Sequence, residues 1–243
     1  MFTLFRREVG SFFSSLTGYV VVVVFLVING LFLWVFPGEF NVPDTGYASL
    51  DPMFVLAPWM FLFLVPAVTM RLFSEEKRSG TVELLFTRPL TELQIILAKY
   101  LSGLALVMLA LVPTLVYYVT VITLGNPVGN IDSGGFWGSF IGLVFLAGVY
   151  VAIGLFTSSL TDNQIVSFIL GVLGCFLFFL GFESLAGLGM SGFWENFIKN
   201  MGIAHHYNSM SRGVIDSRDL IYFISVISVF ILFTKIVLES RKW

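Results

Sequence analysis

The chain has 243 residues, of which 57% are hydrophobic and 12% charged, with a mean hydropathy of +0.93. A soluble domain would carry about 25% charged residues, so lipid is the expected solvent for most of its length. A net charge of −2 and a pI near 5.7 exclude the basic field that nucleic-acid binding needs, and the single cysteine, Cys175, excludes an internal disulfide.

Lipid supplies no water to backbone amides, so a spanning segment must be a helix or part of a closed barrel. The long continuous apolar runs decide for helices over alternating strands. The expected fold class is all-α and polytopic, a single membrane domain over residues 1–243.

Met1 to Leu16 reads as an interfacial helix (residues 1–17) rather than a span. Phe2, Phe5, Val9, Phe12, Phe13 and Leu16 fall on one helical face, and Arg6, Arg7, Ser11 and Ser14 on another. Arg6 and Arg7 could open a signal peptide, but no small-residue cleavage pattern follows.

A span needs roughly 20 apolar residues. Six runs qualify: Tyr19 to Phe36, Met53 to Leu72, Leu93 to Leu124, Phe136 to Phe156, Ile165 to Phe182 and Leu220 to Leu238. Pro113 is expected to kink the third, and Pro58 and Pro66 the second. With six spans both termini share a side. That side holds ten of the thirteen Lys and Arg residues, the other only Lys199, Arg212 and Arg218, so the termini are expected to be cytoplasmic.

Two outer connections, Pro37 to Pro52 and Gly125 to Gly135, are short and polar. The third, residues 183–219, is longer: Phe193, Trp194, Phe197, Ile198 and Met201 recur at helical spacing, as in a short helix at headgroup level within an outer hairpin.

Several chemistries lack their residues. Gly189-Met190-Ser191-Gly192 is GxSG, short of the GxSxG turn that exposes a nucleophilic serine. His205 and His206 are adjacent, so on a helix they point apart and make poor joint metal ligands; hydrogen bonding at the interface suits them better. The spans are nearly free of the ionisable groups that ion-coupled transporters use, since Arg71 and Lys99 sit at cytoplasmic ends where they can snorkel. No GxxxxGK[ST] loop occurs, so any nucleotide is bound by another polypeptide.

Charge concentrates instead in one cytoplasmic loop, residues 73–90 and their flanks: Arg71, Glu75, Glu76, Lys77, Arg78, Glu83 and Arg88. Gly80 is placed to break the helix leaving the membrane and Thr81 to cap a short new one through Thr87. Pro89 disfavours helical geometry at Arg88, and Thr91 with Gln94 forms a capping box for the third span. Val82, Leu84, Leu85 and Phe86 inside a charged rim resemble a protein docking surface.

The run EEKRSGTVELLFTRPLTELQIILAKY resembles the loop between the second and third spans of ABC-2 type transporter permeases, where an E-x-x-x-G-T-x-E-x-L-L-x-x-P-x-x pattern forms the coupling helix. GLFTSSLTDNQIVSF (Gly154 to Phe168) resembles the family's connection between spans four and five. SRGVIDSRD, within Phe193 to Asp219, resembles its outer hairpin, and the N-terminal segment its elbow helix. Within the family, MRLFSEEKRSGTVELLFTRPLTELQIILAKY and HHYNSMSRGVIDSRDLIYF look most like the gliding-motility-associated permease of the Bacteroidetes lineage. The copper-site-maturation permeases of nitrous oxide reductase are also similar.

This resemblance implies the membrane subunit of an ATP-driven exporter in the bacterial inner membrane, with no catalytic site and no cofactor of its own. It implies two copies of a partner ABC ATPase that bind ATP and Mg, a second permease copy, and an auxiliary membrane protein. ATPase coupling would fall on Gly80, Thr81, Glu83, Leu84, Leu85, Arg88 and Pro89, entered through Glu75, Glu76, Lys77 and Arg78. The alternative is a non-transporting membrane anchor that transmits ATPase strokes to partner proteins. At Ala98 the chain departs from the family, where glycine often precedes the lysine corresponding to Lys99.

Overall fold

The computed structural model describes residues 1–14, 16–83, 90–187 and 192–240, and among these helix is the only regular structure. In chain order the helices are α1 (Phe2–Ser14), α2 (Leu16–Trp34), α3 (Val42–Thr45), α4 (Asp51–Thr69), α5 (Arg71–Arg78), α6 (Glu92–Leu111), α7 (Leu115–Leu124), α8 (Ser133–Leu160), α9 (Gln164–Phe176), α10 (Phe182–Ala186), α11 (Phe193–Lys199), α12 (Ile203–Met210) and α13 (Ser217–Glu239). Five continuous stretches are long and apolar enough to cross a membrane: Asp51–Arg78, Glu92–Leu124, Ser133–Leu160, Gln164–Ala186 and Ser217–Glu239. α1 and α2, bent by 69° from one another, make a sixth when counted together.

α1 departs from its expected face. Leu4, Glu8 and Phe12 turn inward, against α6, while Phe2 is 76% exposed. Spacing of the phenylalanines identified an amphipathic helix but not the side on which the bundle lies.

The second span continues as helix beyond its apolar run, up to the break expected at Gly80. Hydropathy falls at Leu72, yet helix continues as α5 to Arg78, because Glu, Lys and Arg are good helix formers and Arg71 pairs with Glu75 one turn on, at 3.3 Å. Hydropathy marks where lipid ends, not where helix ends. α4 runs unbroken through Pro58 and Pro66, whereas Pro113 interrupts the third span with a 3-10 turn over Val112–Thr114.

α8 is the hub. Asp132 caps its first turn, and α4, α5, α6, α9, α12 and α13 all pack around it. Its small residues permit this: a Cβ added at Gly154 would lie 1.9 Å from the Thr69 hydroxyl, and one at Gly138 2.4 Å from the Met210 carbonyl oxygen. The fifth span is continuous but not uniform, since a π-helical turn over Leu177–Gly181 separates α9 from α10.

The connection between the fifth and sixth spans divides into two parts. α11 buries none of its residues, and Phe193, Trp194 and Phe197 contact one another on its exposed face. α12 instead belongs to the core, burying Ile203, Ala204, Tyr207 and Met210. His206 lies between the Asp219 carboxylate (2.7 Å) and the Asn200 carbonyl (2.9 Å), stacked on Tyr222. Burial, with a smaller push from His206, lowers the pKa of His205. Among the described residues no group of His, Cys, Asp and Glu could hold a metal. Gly189, Met190 and Ser191 of the GxSG run lie outside them.

Tyr207 closes a gap left by a proline. Pro58 has no N–H, so the carbonyl of Phe54, four residues earlier, lacks its helical donor; the Tyr207 hydroxyl donates to it at 2.8 Å. An unpaired carbonyl at this depth would be costly. Tyr207→Phe should therefore destabilise the detergent-solubilised protein by about 1–3 kcal/mol in denaturant unfolding. In a Pro58→Ala background, where the new N–H takes the Phe54 carbonyl, the loss should fall to less than half.

Candidate functional site

α5 carries Glu75, Glu76, Lys77 and Arg78 in succession, and side chains about 100° apart cannot share one neighbour. Glu75 and Arg78 are exposed. Glu76 turns inward, between Arg7 at 2.8 Å and Lys99 at 3.0 Å. Lys77 donates to the Ser159 carbonyl in the last turn of α8, where a cation suits the negative end of the helix dipole. Of the four expected entry residues, two face outward and two fasten the helix from behind.

Gly80 supplies the stop. Its φ of +68° is a left-handed conformation that glycine adopts at least cost. The Gly80 N–H donates to Lys77 O and the Thr81 N–H to Glu76 O, at 3.2 and 3.0 Å, which is the paired-bond closure of a Schellman turn. The Thr81 hydroxyl contacts Ser79 Oγ at 2.8 Å and donates to Glu76 O at 3.4 Å. Helix restarts at Val82 and Glu83, with Glu83 exposed. Val82 is 9% exposed, so its apolar surface is spent inside the chain.

Leu84, Leu85, Arg88 and Pro89 lie outside the described residues, as does the rest of the expected docking helix through Thr87. At the return, Thr91 caps α6 reciprocally: its hydroxyl accepts from the Gln94 N–H at 3.4 Å and its own N–H donates to Gln94 Oε1 at 3.2 Å.

Lys99 corrects the reading of a snorkelling side chain. It is fully buried, its ammonium 5.0 Å from the centre of the Phe73 ring. It donates to Leu72 O at 2.5 Å and pairs with Glu76 at 3.0 Å and Glu8 at 3.4 Å. Snorkelling needs an open route to the interface, and α1 and α5 close it with acceptors. Arg7 bridges the same two carboxylates from the outside, at 2.5 Å to Glu8 and 2.8 Å to Glu76. The result is a closed ring of alternating charge, Glu8–Arg7–Glu76–Lys99, beside a cleft of about 400 Å³ that Arg71, Glu75 and Thr81 also line.

Sequence reasoning missed Glu8 and the depth of Lys99. Each carried a signal: Glu8 is the sole acid of α1, and Lys99 the sole cation of α6. Charges isolated in apolar helices seek one another. The site's arrangement is mechanical, an exposed charged turn fixed at its back to three other helices.

Gly80→Ala should cost about 1 kcal/mol in the left-handed turn. Exchange of the Gly80-position and Thr81 amides should then quicken about fivefold in hydrogen-exchange measurements, with a smaller effect for Gly80→Asn.

Residues 43–239 match the family described as ABC-2 family transporter protein. No curated protein matches the chain. The matched region takes in the five continuous apolar spans and the charged turn between the second and third. Members of this family are membrane components of ABC transporters, which implies a partner ATPase subunit. The chain belongs to the ABC-2 transporter family and is a multi-pass membrane protein.

Proposed function

We propose that this chain is the permease subunit of an ATP-driven exporter in a bacterial inner membrane, with both termini cytoplasmic, and that residues 80–89 are its coupling segment. The observation that carries the proposal is the anchored turn at Gly80, which presents Glu75, Arg78 and Glu83 outward while Glu76 and Lys77 bind within the chain. A stroke delivered to such a turn would reach the second and third spans without first being absorbed by a loose loop. ATP and Mg belong to the partner ATPase in this reading.

One coupling segment per chain calls for two chains, because a pair of ATPase subunits offers two equivalent grooves and closed two-fold assemblies are the common solution. The spans least covered by the chain's own packing are Gln164–Ala186 and Ser217–Glu239, each with 22% of its apolar window buried, which leaves surface for a second copy and for lipid. The resemblance to gliding-motility permeases supports an auxiliary membrane protein as a further partner and a role in surface motility. A non-transporting anchor that passes ATPase strokes to partner proteins draws support from Lys99: among the described span residues it is the fully buried charge, and it is engaged in ion pairs rather than facing a path.

The test is recovery and activity of the complex. The ATPase that copurifies in mild detergent should be identified and its hydrolysis measured with wild-type permease and with Glu83→Arg and Leu85→Asp. Each substitution should reduce recovery or stimulated hydrolysis at least fivefold. Unchanged recovery and unchanged stimulation in both would refute the docking role.

A further inference from the structure

We propose that Lys99 is a positioning residue: it holds the coupling turn, the second span and the N-terminal helix in a single fixed arrangement. The Lys99 ammonium donates to Leu72 O and lies in ion-pair range of two carboxylates, Glu76 at 3.0 Å and Glu8 at 3.4 Å. All three partners belong to the chain itself, and the lysine is fully buried among them.

The grip falls at informative places. Leu72 and Glu76 are one helical turn apart, so Lys99 holds the second span's charged end at two points and fixes its rotation as well as its position. Glu76 is also the residue whose backbone carbonyl accepts from the Thr81 N–H. A continuous line of bonds therefore runs from Lys99 through Glu76 to the first residues of the coupling segment. Glu8 and Arg7 add α1 to the same unit.

Lysine suits this place better than arginine, since a compact ammonium can meet three convergent acceptors and a planar guanidinium cannot. The substitution Lys99→Met leaves the two carboxylates with Arg7 alone. Lys99→Met/Glu76→Gln restores the charge balance of the ring, pairing Arg7 with Glu8, but does not restore the link between the second and third spans.

That Lys99 serves coupling rests on the function proposed above; that it fixes the arrangement does not, and the experiment separates the two. Spin labels are placed on the full chain at Gly10→Cys in α1 and Arg78→Cys in α5, both exposed, in a Cys175→Ala background. The distance distribution between them is read by pulsed electron resonance with no ATPase present. Intact Lys99 should give one narrow distance, and the charge-balanced double variant a distribution at least twofold broader, although its melting temperature recovers towards that of the parent. A double variant as narrow as the parent would overturn the proposal, leaving Lys99 as a counter-charge only. Where neither Lys99 variant accumulates, Glu76→Ala, which keeps Lys99 paired with Glu8, should broaden the distribution alike, and an unchanged width there would also overturn it. In the copurified complex the double variant should lose at least fivefold in stimulated hydrolysis while still retaining the ATPase. A wild-type chain that recovers no ATPase would refute the functional reading and leave the distance result standing.

Discussion

Lipid gives apolar helices no hydrophobic reason to associate, so this bundle depends on how closely its helices can approach Ser133–Leu160. That helix is surrounded, and the surrounding is made possible by positions without side chains. Thr69 of the second span sits where a side chain at Gly154 would be, and the Met210 backbone sits where one at Gly138 would be. Contact at that range recovers dispersion energy that bulkier residues would forfeit. The fifth and sixth spans, by contrast, touch the hub along one side and leave most of their apolar surface outside the chain's own packing.

The two ends of the bundle are fastened by different chemistry. At the charged end, Glu8, Arg7, Glu76 and Lys99 neutralise each other and Lys77 caps the hub. At the other end the fastenings are Tyr207 on the Phe54 carbonyl, His206 on Asp219, and Tyr222 on the Met201 carbonyl at 2.6 Å. Buried ion pairs add little net stability, because desolvation offsets attraction, but removing one partner costs roughly 3–5 kcal/mol. The ring is therefore better understood as selecting one arrangement of α1, α5 and α6 than as strengthening the fold.

Much of the architecture was legible from residue order. Apolar run length located the five continuous spans, and Thr91 with Gln94 marked the start of α6, because both signals are local; the run from Tyr19 to Phe36 makes a span only when α1 is counted with α2. Signals that depend on a distant partner were not legible. Glu8 stands out locally as the sole acid of α1, but its partner Lys99 is remote in the chain, so the face that turns inward could not be read from it. Val82 was grouped with the apolar docking residues by adjacency, yet it is turned into the chain while Glu83 next to it faces out. Tyr207 carries no local signal; its role follows from a proline 149 positions earlier in the chain. The body of the candidate site, from Leu84 to Pro89, rests on sequence alone.

The π-helical turn at Leu177–Gly181 changes the phase of the fifth span. A turn closed by i→i+5 bonds holds one residue more than an α turn, so everything beyond it is rotated by about 100° relative to a regular helix. Before the turn, Ser167, Gly171 and Cys175 mark the buried side while Ile165, Ile169 and Leu173 look outward. Within it, Phe179 is brought against Trp59 and Tyr150. The halves of this span on either side of the turn consequently present different faces to their surroundings, so a neighbour packed along one half meets another pattern of side chains on the other.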